Sequence, residues 1–158
     1  MRSVSEKKKV LVAMSGGVDS SVAALLLRDA GYEVAGATML LGVHRSGDEA
    51  GRFTDESVAD AQSVCGQLGI PHRIFDFADL MEHRVIGQFI REYQSGRTPN
   101  PCVDCNRHLK FGALLAKARS LGFDGLATGH YAKIEKRDGR WALLRPKDEA
   151  KDQTYFLY

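Results

Sequence analysis

Residues 10–21 read VLVAMSGGVDSS, an apolar run that breaks onto two adjacent glycines and a string of small polar residues. Val10 to Met14 is apolar at every position, the pattern of a strand covered on both faces, and such strands belong to parallel sheets flanked by helices. Beyond the break, Val22, Leu25 and Leu26 fall at helical spacing within residues 19–28. A strand that feeds a helix through Ser15-Gly16-Gly17-Val18-Asp19-Ser20-Ser21 commits the chain to a βα crossover. The glycines let backbone N–H groups approach an anion, Ser15 and Ser20 add donors, and the helix N-terminus adds a favourable dipole. A phosphate is the expected ligand. No Gly-Lys-Ser/Thr follows, so the loop is not a Walker A, and it lacks the third glycine of a dinucleotide fingerprint. The plainer alternative is a glycine-rich turn with Ser20 as a simple N-cap.

The rest of the chain repeats the alternation. Gly31 closes the first helix and residues 33–39 (EVAGATM) form a second strand, completing a βαβ unit. Residues 42–53 are polar and glycine-rich and read as a mobile loop, followed by a helix over 54–68, a strand over 72–77 and a helix over 78–94. After the loop SGRTPNP come an amphipathic helix over 106–120, a strand over 124–128, and a hairpin pairing 131–137 with 141–145 about Asp138-Gly139. The expected fold is α/β: an open, mainly parallel sheet with flanking helices, and a small hairpin at its edge near the C-terminus. At 158 residues this is the size of one domain, and 44% hydrophobic content fills a single core. A net charge of +2 is too small to argue for nucleic acid by itself. No apolar run reaches the ~18 residues of a membrane span. The N-terminal MRSVSEKKK has no apolar segment behind its charges, so a cytoplasmic protein with reduced thiols is expected.

Three cysteines occur: Cys65, Cys102 and Cys105. The C-x-x-C in Thr98-Pro-Asn-Pro-Cys-Val-Asp-Cys-Asn106 serves zinc, iron–sulfur and thiol chemistry alike, and spacing alone does not choose among them. Cys65 lies among Val58, Ala61, Val64 and Leu68 on one helix face and reads as a buried core cysteine. His130 follows a strand end, where α/β sites collect ligand contacts. His108 flanks Cys105, and either could equally be structural or solvated. His44, in the polar loop, is assigned nothing.

The S-G-G-x-D-S loop resembles the signature of the PP-loop ATP pyrophosphatases, which cleave ATP between its α and β phosphates. Together with Arg97-Thr-Pro-Asn-Pro101, Cys105-Asn106, Leu109-Lys-Phe111, Ala127-Thr-Gly-His-Tyr131 and Lys151-Asp-Gln-Thr-Tyr-Phe-Leu-Tyr158, in that order, it is similar to the N-terminal catalytic domain of the tRNA-uridine 2-sulfurtransferases, the tRNA-specific 2-thiouridylases of the MnmA type. The resemblance covers residues 1–158 and implies ATP-dependent 2-thiolation of a wobble uridine. The uracil O2 attacks the α-phosphate of ATP, pyrophosphate leaves, and a persulfide sulfur displaces AMP at C2. It also implies roles for residues. Ala13, Met14, Ser15, Gly16, Gly17, Val18, Asp19 and Ser20 would hold ATP, with Met39 near the adenine and Gly129 at the nucleotide. Asn100, Pro101 and Cys102 would meet the target base, and Lys151, Asp152 and Gln153 the tRNA. Cys105 matches the catalytic nucleophile, and Asp19 is placed to help bind Mg²⁺. The thiolate of Cys105 is expected to be favoured by Arg97, Arg107 and Lys110 or by a helix starting near Asn106.

Two departures from the family pattern stand out. Cys102 occupies a position where much of the family has Asp, which is similar to the subgroup whose C-x-x-C and a later cysteine hold a [4Fe-4S] cluster. That later cysteine and the family's central tRNA-binding and C-terminal β-barrel regions are absent from these residues. Expected partners are tRNA and a sulfur-donor protein. Lys133, Lys136, Arg137, Arg140, Arg145, Lys147 and Lys151 form a basic cluster around the hairpin that could face tRNA phosphates. The rival readings are a nucleotide- or iron–sulfur-binding module without full activity, and a PP-loop thiolase for another tRNA base or a small molecule.

Overall fold

A computed structural model describes residues 7–42 and 50–157, and of residues 50–55 the backbone only. Four strands, β1 (Lys9–Ala13), β2 (Glu33–Leu40), β3 (His72–Asp76) and β4 (Gly125–Ala127), form one sheet in the order β3-β2-β1-β4. Every pairing is parallel, with Val10 beside both Val34 and Gly125. The apolar run of β1 alternates between two cores, as its composition requires. Val12 packs with Met14, Ala24, Val34, Ala61 and Cys65, and Leu11 packs on the opposite face with Ala35, Ala37, Leu114 and Ala118. The first core is roofed by α1 (Val18–Asp29) and α2 (Ala50–Leu68), whose C-terminal ends are joined by an Arg28 Nη1 hydrogen bond to the Leu68 carbonyl at 3.1 Å.

Gly36 is the tightest point between β2 and α2. A Cβ there would lie 2.5 Å from Cys65 Sγ and 3.0 Å from Met14 Cγ. Cys65 is thus a packing residue, 1% exposed, and burial pushes its thiol pKa up.

The second core is roofed by α4, a continuous helical run over 101–120; α3 is the preceding run over 78–94. Both contain π-helical winding: Glu82–Ile86 in α3 and ten residues, Cys105–Leu114, in α4. With i→i+5 hydrogen bonding, residues five apart stack on one face, and Leu109 and Leu114, five apart, are both fully buried. Gly112 permits the winding, since a Cβ there would come within 2.8 Å of the Arg107 carbonyl oxygen, five residues back.

Three boundaries differ from the sequence expectation. The helix expected over 106–120 begins at Pro101, because the Asn100 side chain accepts the Cys102 N–H at 3.0 Å and proline suits the first helical position. α2 begins at Ala50, so residues 50–53 are helical rather than loop, and 43–49, His44 included, lie outside the described residues. The hairpin, β5 (Lys133–Arg137) with β6 (Arg140–Leu144), is a separate two-stranded sheet and does not pair with the edge of the parallel one. β4 is only three residues long, and the chain then crosses over the loop after β1, which carries the hairpin away from the sheet edge. Its Asp138-Gly139 turn has positive φ at both residues, 48° and 79°, as a type I′ turn demands.

Gly36→Ala is expected to destabilise the fold by about 1–3 kcal/mol through overpacking, with part of the loss recovered by adding Cys65→Ala. Urea denaturation measures both. A Gly36→Ala protein with an unchanged midpoint would contradict the packing described.

Candidate active site

Strands β1 and β4 lie at the point where the strand order reverses, the position at which open α/β sheets bind ligands beyond their carboxyl ends. The loop after β1 is anchored from below. The Met14 N–H donates to the Ala37 carbonyl at 2.8 Å, and the buried Thr38 hydroxyl donates to the Met14 carbonyl at 3.2 Å. Its proton thus committed, Thr38 Oγ1 accepts from His72 Nε2 at 2.9 Å, which fixes that tautomer; burial lowers the His72 pKa. Above this, Ser20, buried at N3 of α1, accepts the Ser15 N–H at 3.2 Å and donates to the Gly17 carbonyl at 3.0 Å. Ser20 therefore shapes the loop, and the N-cap is Gly17, which makes no side-chain cap bond. Gly16 adopts φ +78°, and a Cβ on it would lie 2.8 Å from the Ser57 carbonyl oxygen. The loop can take this path only with glycine there. Gly17, Val18 and Asp19 are exposed at the mouth, with N–H groups of the first turn free of intrahelical acceptors.

The segment after β4 seals one side. A Cβ on Gly129 would lie 2.7 Å from Ser20 N and 2.7 Å from the Asp19 carbonyl carbon, so backbone rests directly on the first turn of α1. Two residues on, the Tyr131 hydroxyl donates to Asp19 Oδ1 at 2.7 Å, and Lys151 Nζ donates to that phenol oxygen at 3.3 Å while lying 4.7 Å from the ring centre. Tyr131 also clasps Gln153 through its own N–H to Gln153 Oε1 at 2.9 Å and the Gln153 N–H to its carbonyl at 3.1 Å. Asp152 accepts from the Thr154 N–H and hydroxyl at 2.9 and 2.7 Å, which with the Arg145 charge holds its carboxyl below the usual range. Of the three residues expected to meet tRNA, Asp152 and Gln153 thus spend side-chain acceptors on the local fold, and Lys151 keeps an exposed ammonium.

His130 faces the other way, toward α4. Its Nδ1 pairs with Thr128 Oγ1 at 2.7 Å and its Nε2 with Lys110 Nζ at 3.3 Å. An ammonium only donates, so Nε2 is the acceptor and Nδ1 carries the proton. The ring lies between Phe111 and Phe156, at centroid distances of 6.2 and 5.7 Å, and burial with the Lys110 charge lowers its pKa to about 4. Lys110 shares its helix with Cys105, a half-buried thiol whose pKa is raised on balance, against the expectation of a favoured thiolate: burial pushes it up most, the Lys110 charge pulls it part of the way back, and Cys102 adds to the rise. Cys102 is exposed one turn earlier, beside Asn100 and Pro101 at the helix start.

The structure corrects the expected electrostatics of Cys105. Arg97 is engaged with Glu92, its Nη2 reaching Oε1 at 2.8 Å. The helix does not begin near Asn106, and the Cys105 N–H already bonds to the Pro101 and Cys102 carbonyls. Of the expected contributors, Lys110 is the one that lowers the thiol pKa. Met39 lies at the carboxyl end of β2 on the α4 side of the sheet. Sequence reasoning missed Tyr131 and Asn106. The first was legible as an aromatic hydroxyl two residues past the strand-end glycine. The second, 3% exposed, donates to the Phe156 carbonyl at 3.0 Å, a contact across 50 residues that no local pattern announces.

A parallel sheet with a glycine-serine phosphate loop at its switch point defines a PP-loop nucleotide-binding domain of the HUP type. The profile of the tRNA methyl transferase HUP domain family matches residues 8–158, and the chain belongs to that family. A tRNA-specific 2-thiouridylase MnmA from Syntrophus aciditrophicus (strain SB) is 62% identical over 152 residues, covering 96% of this chain and 41% of its own length. Another from Clostridium beijerinckii is 55% identical over 155 residues, covering 96% and 43%. The chain therefore spans about two fifths of the length of the curated relatives it matches. Among solved structures, a predicted subunit of tRNA methyltransferase from Methanocaldococcus jannaschii aligns with TM-score 0.53 at 19% identity, over 85% of this chain and 58% of that one. The glutamine-dependent NAD+ synthetase from Acinetobacter baumannii, in complex with ADP, aligns with TM-score 0.51 at 21% identity, over 79% and 22%. These two share the fold.

Two predictions follow from this geometry. Gly129→Ala should force the crossing segment off α1 and weaken Mg²⁺·ATP binding about tenfold or more in calorimetry, without loss of helical circular dichroism; unchanged affinity would separate Gly129 from the site. His130 stays neutral in the fold down to about 4 while the unfolded chain takes its proton near 6.5. Its contribution is therefore complete above 6.5 and is lost as the pH falls toward 4. His130→Gln should flatten the decline of the urea midpoint across that window.

Proposed function

We propose that this chain is the catalytic PP-loop domain of a tRNA-uridine 2-sulfurtransferase, forming AMP and pyrophosphate from ATP as it thiolates the wobble uridine. The observation that carries the reading is the convergence of the phosphate loop, Lys151 and the Cys105 helix on one crossing segment, residues 128–131. This arrangement matches the order of chemistry. ATP phosphates suit the exposed N–H groups of Val18 and Asp19, beside a Gly17 N–H that donates to Ser15 Oγ at 3.4 Å, and the α1 dipole. Asp19 is one exposed carboxylate at the loop mouth, and Mg²⁺ is commonly held by one or two carboxylates plus substrate phosphates, so the residues fit the ion. Bound there, Mg²⁺ would offset charge developing on departing pyrophosphate. The uracil O2 attacks the α-phosphate and pyrophosphate leaves. Cys105, the essential thiol, takes the outer sulfur of a donor protein's persulfide, leaving the donor as a thiol; that sulfur attacks C2 and AMP departs with the O2 oxygen. Cys102, the resolving partner, then attacks Cys105 Sγ, which breaks the sulfur–sulfur bond, frees the 2-thiouridine and closes a Cys102–Cys105 disulfide that a thiol reductant reopens. The base leaves its stack to reach the site.

The described residues do not by themselves complete the donor set of a [4Fe-4S] cluster. Cys102 and Cys105 supply two thiols, Cys65 sits in the opposite core, and no group of three or more His, Cys, Asp or Glu among the described residues could hold a metal ion. The reading takes the pair as thiols. No helix among the described residues is long and apolar enough to cross a membrane. The proposed tRNA substrate is what supports a cytoplasmic reaction.

The test is 2-thiouridine formation in tRNA by the intact native protein, read by mass spectrometry with AMP release. Cys105→Ser should abolish it and Cys102→Ser should reduce it. Full activity in both variants overturns the role of the pair, and iron retained by wild type but lost in both would replace the thiol reading with a cluster. Lys151→Ala should weaken tRNA binding and reduce the slope of log affinity against log salt by about one; an unchanged slope removes Lys151 from the RNA contact.

A further inference from the structure

The ten-residue π-helical winding of Cys105–Leu114 is unusual in length, since such winding mostly occurs as single turns. Its geometric consequence falls on Lys110. In an α-helix, residues five apart lie about 140° apart around the axis, so Lys110 would point away from Cys105. Under i→i+5 winding that angle shrinks to roughly 50°, which brings the two toward one face, and Leu109 and Leu114, at the same spacing in the neighbouring row, are both fully buried. Lys110 is also held. Its Nζ donates to His130 Nε2 at 3.3 Å, and His130 is fixed in turn by Thr128 at 2.7 Å and by the rings of Phe111 and Phe156.

We propose that Lys110 is the charge partner of the Cys105 sulfur, placed over it by the π-helical winding and locked there by His130, which acts as a positioning residue. This rests on the reading of Cys105 as the sulfur-handling thiol. The groups that act on Cys105 come from two directions. On its own helix, Lys110 favours the thiolate and a charged Cys102 opposes it. From the crossing segment comes the acceptor that holds Lys110: His130 stays neutral down to about 4, so it offers the ammonium a lone pair rather than a competing charge. Burial alone would leave Cys105 a poor nucleophile at neutral pH. The Lys110 ammonium offsets part of that effect.

The experiment is alkylation of the native protein by iodoacetamide, with the rate at each cysteine read by mass spectrometry, and it needs neither ATP nor tRNA. Lys110→Met should slow reaction at Cys105 about tenfold near neutral pH and move its rate–pH profile upward, the effect of about one pKa unit. Lys110→Arg, which keeps the charge, should restore most of the rate. His130→Leu, which keeps Lys110 but removes its acceptor, should slow Cys105 severalfold. Cys65, 1% exposed, is the internal control and should remain unreacted in every folded variant. Wild-type reactivity of Cys105 in either Lys110→Met or His130→Leu, with Cys65 protected, overturns the proposal. Inactivity of wild type toward tRNA, with these rates as predicted, would instead overturn only the functional reading above.

Discussion

Backbone rests directly on backbone where Gly129 meets Asp19 and Ser20, with no room for a Cβ. Only glycine lets the chain leaving β4 touch the first turn of α1, and this contact fixes what the following residues can reach. Tyr131 arrives over Asp19 and ties it to Lys151. His130, with the opposite orientation, arrives at Lys110. A nucleotide loop, a candidate RNA-contacting segment and a thiol helix are thereby organised by four consecutive residues.

This arrangement divides labour between rigid and adaptable parts. The loop floor is doubly tied to β2 through Met14, and Ser20 closes it from within, so the exposed N–H groups at the start of α1 are held in place by the fold itself. Such preorganisation matters because donors that need not reorient contribute most where charge develops. The basic hairpin is differently built. It stands apart from the main sheet, Glu135 pairs with Lys133 and Arg137, and Lys136, Arg140 and Lys147 make no salt bridge among the described residues. Those three cations are available to a polyanion without first breaking an ion pair.

Much of the fold was legible in the sequence because its signals are local. The apolar run of β1, the Gly31 stop with φ +90° and the Asp138-Gly139 turn each follow from one or two residues. Cys65 was legible as core from its helix neighbours. The π-helical winding was not, since its cause is distributed: Gly112 tolerates it, while Leu109 and Leu114 are satisfied by a five-residue spacing that a 3.6-residue reading assigns to different faces. In the sequence Lys110 is therefore one of several cations near Cys105, and nothing local singles it out. The detachment of the hairpin was likewise illegible, because it depends on the crossing of residues 128–131 over a loop more than a hundred residues earlier.

On the function proposed above, one crevice, between the loop after β1 and the segment after β4, takes the nucleotide. Amide chemical shifts of the isotopically labelled protein, recorded while a non-hydrolysable ATP analogue and Mg²⁺ are added, test it most directly. The account predicts the largest saturable changes at Gly16, Gly17, Asp19, Ser20, Gly129 and Tyr131, with smaller ones at Met39. Saturable changes confined to other parts of the sheet or to the hairpin, with those amides unmoved, would contradict it.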